Sequence, residues 1–348
     1  MPDSSTLVRD PIHDPGAPAA RARAEAVPLA GAVTLRAPGG GRIRVGTAGW
    51  TDPSLTAPGV FYPPGTVSAE ERLRYYASRF PVVEVDSPFY ALPARRSAEL
   101  WVERTPPDFR FDVKANALMT GHPADVARLP APLRKALPKE VAERDRIYGK
   151  DLPAEVYDAV WDWFVDALRP LESAGKLGAV LLQYPRWFLP GPRSREQILD
   201  AKRRLGGYPI AVEFRNRRWL EGTQRDRTLG FLEEHGIPFV MVDGPQGMES
   251  SVPRVAAVTA PALAVVRLHG RRAETWEKPN VGVAERFRYL YTPEELAERV
   301  PDLLEAAGRA RELHVIHNNC YANYGTTNAL ELTWILERRL GRDSEADG

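Results

Sequence analysis

Eight short runs rich in apolar and β-branched residues recur along the chain, and each ends in polar or charged side chains. They are Ile43 to Thr47, Val82 to Asp86, Phe111 to Asn116, Ala179 to Tyr184, Ile210 to Arg215, Phe239 to Asp243, Ala264 to His269 and Leu313 to Asn318. Runs of this length and composition read as strands, and most of the intervals between them are long enough for a helix. Eight such units predict an α/β fold: a single TIM-type (β/α)8 barrel, with reactive residues at the carboxyl ends of its strands.

Side chains alternate faces along a strand, so parity sorts the residues of each run into an interior and an outer set. Placing the polar residues at the strand ends inside gives Glu84, Asp86, Asp112, Lys114, Asn116, Gln183, Glu213, Arg215, Asp243, Arg267, His269, His317 and Asn319, with every strand but the first contributing. The opposite parity is Val83, Val85, Val113, Leu182, Val212, Phe214, Val242, Val266 and Leu268, which suits a surface packed under helices. The reverse assignment would bury charges beneath the helices, against a large desolvation cost.

Around the barrel, the pattern weakens. Residues 1–41 are rich in Ala, Pro, Gly and Arg without periodicity and read as a disordered leader, with the barrel spanning 42–341 and a tail at 342–348. A long insertion at about 118–176 follows the third strand and ends in the amphipathic run Ala154 to Leu171; part of it is expected to cover the mouth. Asn328 to Leu340 reads as the closing helix.

Composition narrows the function classes. The 47 basic and 46 acidic residues leave a formal net charge of +1, which offers no global attraction for nucleic acid or an anionic membrane. No apolar stretch approaches the roughly 18 residues of a membrane span. Cys320 is the only cysteine, so no internal disulfide forms, and a reducing, cytoplasmic setting is expected.

Several separated stretches share one resemblance: Val-Gly-Thr-Ala-Gly-Trp at Val45 to Trp50, Phe-Tyr-Pro at Phe61 to Pro63, and Val-Glu-Val-Asp-Ser-Pro-Phe-Tyr at Val83 to Tyr90. Phe-Asp-Val-Lys-Ala at Phe111 to Ala115, Leu-Leu-Gln-Tyr-Pro at Leu181 to Pro185, Val-Glu-Phe-Arg at Val212 to Arg215 with Trp219, Arg-Leu-His-Gly at Arg267 to Gly270, and Asn-Asn before Asn328-Ala329 complete the set. In this order and spacing they resemble the YecE-like family, domain of unknown function 72, over about residues 43–340. The resemblance implies a TIM barrel distantly similar to the sugar-isomerase and endonuclease IV group. It implies a fold more than a reaction.

Two arrangements of the interior set remain open. Glu84, Glu213 and Asp243 with His269 or His317 form a candidate divalent-cation site, carboxylates and imidazole being suitable donors. Alternatively the acids pair with Lys114, Arg215 and Arg267. In that metal-free arrangement Glu84 and Glu213 are candidate general acid and base, with Lys114 and His269 in supporting catalytic roles and the arginines gripping an anion. Asp86, Tyr90, Gln183, Trp219, Asp243, Asn319 and Asn328 are expected to line the substrate site, Asn319 being favoured over Asn318 by parity. Gly325 to Asn328 reads either as an anion-binding helix start or as an ordinary Thr cap. The expected function is an enzyme, a hydrolase or isomerase, acting on a small anionic phosphorylated, sugar-like or nucleotide-like molecule. The alternative is a non-catalytic barrel that binds a metabolite or a nucleic-acid end and works through a partner.

Overall fold

The computed structural model describes residues 16–346. The barrel strands are β1 (Arg42–Ala48), β2 (Val82–Val85), β3 (Arg110–Lys114), β4 (Leu177–Gln183), β5 (Ile210–Glu213), β6 (Val240–Asp243), β7 (Leu263–Leu268) and β8 (Glu312–His317). They pair in parallel in the order β5-β4-β3-β2-β1-β8-β7-β6. A single parallel bridge between Val212 and Phe239 joins the two ends of this row and rounds it into a nearly closed TIM-type barrel. The eight runs read from hydrophobicity coincide with these strands to within two residues at every end.

The longer helices are α1 (Gly16–Glu25), α2 (Ala69–Arg79), α3 (Arg95–Glu103), α4 (Ala154–Ser173), α5 (Pro192–Arg204), α6 (Gly222–Glu234), α7 (Val300–Arg309) and α8 (Tyr324–Ala346). Their boundaries have local causes. Ser68 caps α2 by accepting from the Glu71 N–H while the Glu71 carboxylate reaches back to the Ser68 N–H. In α4 the expected stripe is buried at Trp161, Phe164 and Leu168.

The leader reading is overturned for residues 16–41. Ala17 and Ala20 of α1 are buried against Tyr321, Ala322 and Tyr324 around the start of α8. Arg23 grips the Glu331 carboxylate through two nitrogens at 2.7 Å each, and Thr34–Arg36 pairs antiparallel with the start of β1. An alanine face packs closely without a stripe of large apolar residues, so the periodicity that usually signals a helix is missing. Residues 1–15 lie outside the described residues. The tail reading changes too: α8 begins at Tyr324 and continues to Ala346.

Ladder partners in a parallel sheet share a face. Glu84 stands beside Ala48 and Asp112, Gln183 beside Glu213, and Arg267 beside Ile316 and Val242. Glu84, Lys114, Gln183, Glu213 and Arg267 thus face the interior, as expected. Asp243 stands beside Leu268, and His317 beside both Leu268 and Thr47, which places both on the outer face and Val242 inside. The parity had been anchored on the polar residue ending each run, and in β6 and β8 that residue faces outward. His314 is inside instead, on the register of Arg44, where its Nδ1 meets both oxygens of Asp112 at 2.9 Å. This pair lies below the mouth and requires Gly178, because a Cβ there would come 2.4 Å from Asp112 Oδ1. Arg44 also corrects the expectation that β1 gives no polar interior residue: it is fully buried, bonded to Thr34, Asp108 and Glu312.

Candidate functional site

Strand ends of β2, β4, β5, β7 and β8 converge on one buried guanidinium. Arg267 directs Nη1 to Glu213 Oε2 at 2.5 Å and Nη2 to Glu84 Oε1, so a single side chain bridges carboxylates from two strands that are not neighbours, β5 and β2. Glu213 Oε1 also accepts from Gln183 Nε2 at 2.8 Å and Arg215 Nη1 at 3.0 Å, and lies 3.2 Å from His269 Nε2. Asn318 Nδ2 lies 2.8 Å from His269 Nδ1, and Arg215 Nη1 lies 3.1 Å from His269 Nε2 on the other side of the ring. Glu84, Glu213, Arg267 and His269 are all at most 1% exposed.

The two carboxyls differ in their surroundings. Burial pushes Glu84 up to about 8, against the pull of Arg267 and with help from the nearby Asp86 charge. Burial alone would raise Glu213 as well, but Arg267, His269 and Arg215 together outweigh it and hold Glu213 well below the usual carboxylate range. Their surroundings therefore push the two carboxyls in opposite directions, Glu84 up and Glu213 down. Burial lowers His269 to about 4 despite its carboxylate neighbour, so the imidazole is neutral.

Above this layer the groups are more accessible. Lys114 Nζ lies 3.6 Å from Asp86 and 4.6 Å from the centre of the Phe89 ring. His122, from the insertion, packs edge-on to Phe89 at 5.0 Å and is lowered to about 3 by burial and by the charges of Lys114 and Arg215. A cavity of about 340 Å³ opens here, bounded by Trp50, Asp52, Asp86, Tyr90, Phe287 and Asn318. The expected cover from the insertion is only a flank. The roof over His269 comes from the long connection after β7, where Trp276 and Phe287 lie 5.9 and 5.8 Å from the imidazole and Arg215 stacks on Trp276 at 4.7 Å.

Not all the residues singled out from sequence come together. Asp243 is clamped on the outer face by Arg271, Arg254 and the Tyr291 hydroxyl. Trp219 is fully buried between Phe214 and Phe188, its indole N–H on the Phe188 carbonyl, and presents no stacking face. Asn319 donates to Tyr289 O and to Asn328 Oδ1, while Asn328 ties the loop at Tyr291 to α8. Asn318 takes the place expected of Asn319, because β8 ends at His317 and strict alternation ends with it.

The cation arrangement loses its donors to the same facts. Asp243 and His317 face outward and Arg267 occupies the space between Glu84 and Glu213; among the described residues no three His, Cys, Asp or Glu side chains converge. The start of α8 is covered by α1, with Thr327 Oγ1 on Ala20 O, so it reads as a packed helix end and not an anion site. Gly270, at φ +83°, turns the chain so closely past Tyr289 that a Cβ would stand 2.6 Å from it; the close approach is to the protein itself. Phe287 escaped the sequence reading altogether, since nothing in its neighbourhood signals a strand end. Trp276 is one of several aromatics that follow strand ends in the sequence.

The chain matches the family model described as protein of unknown function DUF72 over residues 44–346. The chain belongs to the DUF72 family. The UPF0759 protein YunF of Bacillus subtilis is 31% identical to it over 298 residues, 85% of this chain and 95% of that protein. Two solved structures titled as DUF72 family proteins are similar over most of the chain. One, from Enterococcus faecalis V583, has a TM-score of 0.66 at 26% identity, covering 85% of this chain and 95% of that one. The other, from Thermotoga maritima MSB8, has a TM-score of 0.65 at 30% identity, covering 85% and 99%. The DUF72 match begins at Arg44, so it takes in the whole Arg267 network and both loops that roof and flank it, and leaves out α1.

Proposed function

We propose that this DUF72 barrel is an enzyme that performs acid–base chemistry, hydrolysis or isomerisation, on a small anionic molecule of phosphorylated, sugar-like or nucleotide-like type. The observation that carries the reading is that two buried carboxyls flank one arginine, Arg267, and are shifted by their surroundings in opposite directions. A pair of carboxyls separated in this way supplies a proton donor and a proton acceptor at the same pH. Lys114 and Arg215, less buried than Arg267, are the positive charges available to the anionic group. Asn318 joins the two levels: it lines the cavity and contacts His269 Nδ1. Tyr90, nearly half exposed, and Trp50 offer ring faces to a sugar or base.

Complete burial of Glu84, Glu213 and Arg267 favours a second reading, in which the network only braces a barrel that binds a metabolite at its rim without transforming it. A thermal-shift series with sugar phosphates and nucleoside monophosphates, with and without divalent cations, separates the two when followed by product analysis. The enzyme reading expects a stabilising compound, bound more weakly by Arg215→Lys, that the wild type converts and Glu84→Gln does not. Stabilisation without conversion of any stabilising compound would move the assignment to the binding barrel.

A further inference from the structure

Between the insertion after β3 and helices α4 and α5 lies a larger cavity of about 860 Å³. It shares no residue with the Arg267 network or with the smaller mouth cavity. Its volume falls within the range of small-molecule sites, and its walls are unusual in two respects.

The first is a stranded donor. Tyr184, just beyond β4, lines the cavity and is 2% exposed, and its hydroxyl has no hydrogen-bond partner among the described residues. Burial keeps that phenol protonated. A buried hydroxyl without a partner is costly, and native proteins rarely keep one without a use. The second is the rim. Of the large apolar side chains left exposed among the described residues, Tyr148, Trp187 and Leu189 all border this one opening. Exposed apolar side chains gathered at a concave opening mark a recognition surface, unlike the same residues scattered singly.

The interior is aromatic as well. Tyr184 stacks on Phe188 at 4.0 Å and 12°, and Tyr157 meets Trp161 edge to face at 6.2 Å. Flat walls favour a flat guest, and the Tyr184 hydroxyl asks that guest for an acceptor. We propose that this cavity is a second binding site, for a planar heteroaromatic molecule that carries a ring carbonyl or ring nitrogen and accepts a hydrogen bond from Tyr184.

Riboflavin and adenosine serve as probes, both being planar heteroaromatics with ring acceptors, titrated into the full-length protein and read by riboflavin and tryptophan fluorescence and by calorimetry. At least one should bind saturably. Trp187→Ala, at an exposed position that leaves the fold intact, should weaken that binding about tenfold or more. Tyr184→Phe should weaken it about fivefold while leaving the melting temperature equal or higher, since it removes a hydroxyl that bonds nothing in the protein. Tyr90→Ala, at the other cavity, should leave it unchanged, so this outcome is independent of any reaction at the mouth. Failure of both probes to bind saturably, binding indifferent to Trp187→Ala and Tyr184→Phe, or loss of binding in Tyr90→Ala would overturn the proposal.

Discussion

Two arginines that look equivalent in sequence do different work. Arg267 is wholly enclosed and bonded to two carboxylates, whereas Arg215 keeps about a fifth of its side chain exposed and touches one. Lysine retains charge but has no planar fork. Arg267→Lys should therefore strand one buried carboxylate and cost about 3 to 5 kcal/mol of stability in chemical denaturation. Arg215→Lys should cost under about 1 kcal/mol and act on ligand affinity instead. Equal losses from both would contradict the division. Glu84 makes a second prediction. Its ordinary value is 4.5 and its folded value about 8, so between these the folded chain holds the extra proton and stability falls as pH rises through that window. His269 acts in the opposite sense, its stabilising neutrality being lost as pH falls from 6.5 towards about 4. Melting temperatures of Glu84→Gln should lose the decline between about pH 5 and 8 and keep the acid limb. The members of this network were legible from parity alone, because Glu84, Gln183, Glu213 and Arg267 lie within regular strands. Their protonation was not, since it depends on which charges stand within a few ångströms.

At the scale of elements, the strands were readable from the chain and the helix α1 was not. Regular alternation predicts a face only where the ladder is continuous and the anchor residue is inside; Asp243 and His317 fail the second condition, Asn319 the first. Helix α1 fails for another reason, its contacts being made by alanines and by two arginines, one with a partner 308 residues away. A chain starting at Gly41 should consequently melt at least about 5 °C lower than the full protein, because it loses the Arg23 to Glu331 pair, the Ala17 and Ala20 contacts and the strand at Thr34–Arg36. An unchanged melting temperature would mean that α1 adds nothing to the barrel. Gly178→Ala tests the floor independently: the methyl group would collide with the Asp112 to His314 pair and should cost roughly 1 to 3 kcal/mol. Denaturant titration of both proteins measures it.

The whole molecule is a ring of parallel strands with unequal joints. Between β5 and β6 there is one bridge where every other neighbouring pair shares a ladder of two or more residue pairs, and the Phe239 amide donates to Thr259 Oγ1 instead of to a strand. Such a joint is the place where the ring unzips most readily, and local opening of this kind is what exchange of amide hydrogens for deuterium records. The amides of Phe239 and Val240 should accordingly gain deuterium sooner than those of Val265 and Val266, which sit in the doubly paired β7. Glu213 ends the strand on one side of this joint. Each transient parting of β5 from β6 would loosen the anchor of the carboxylate on which Arg267, Arg215 and His269 converge, giving a closed interior an intermittent door to water.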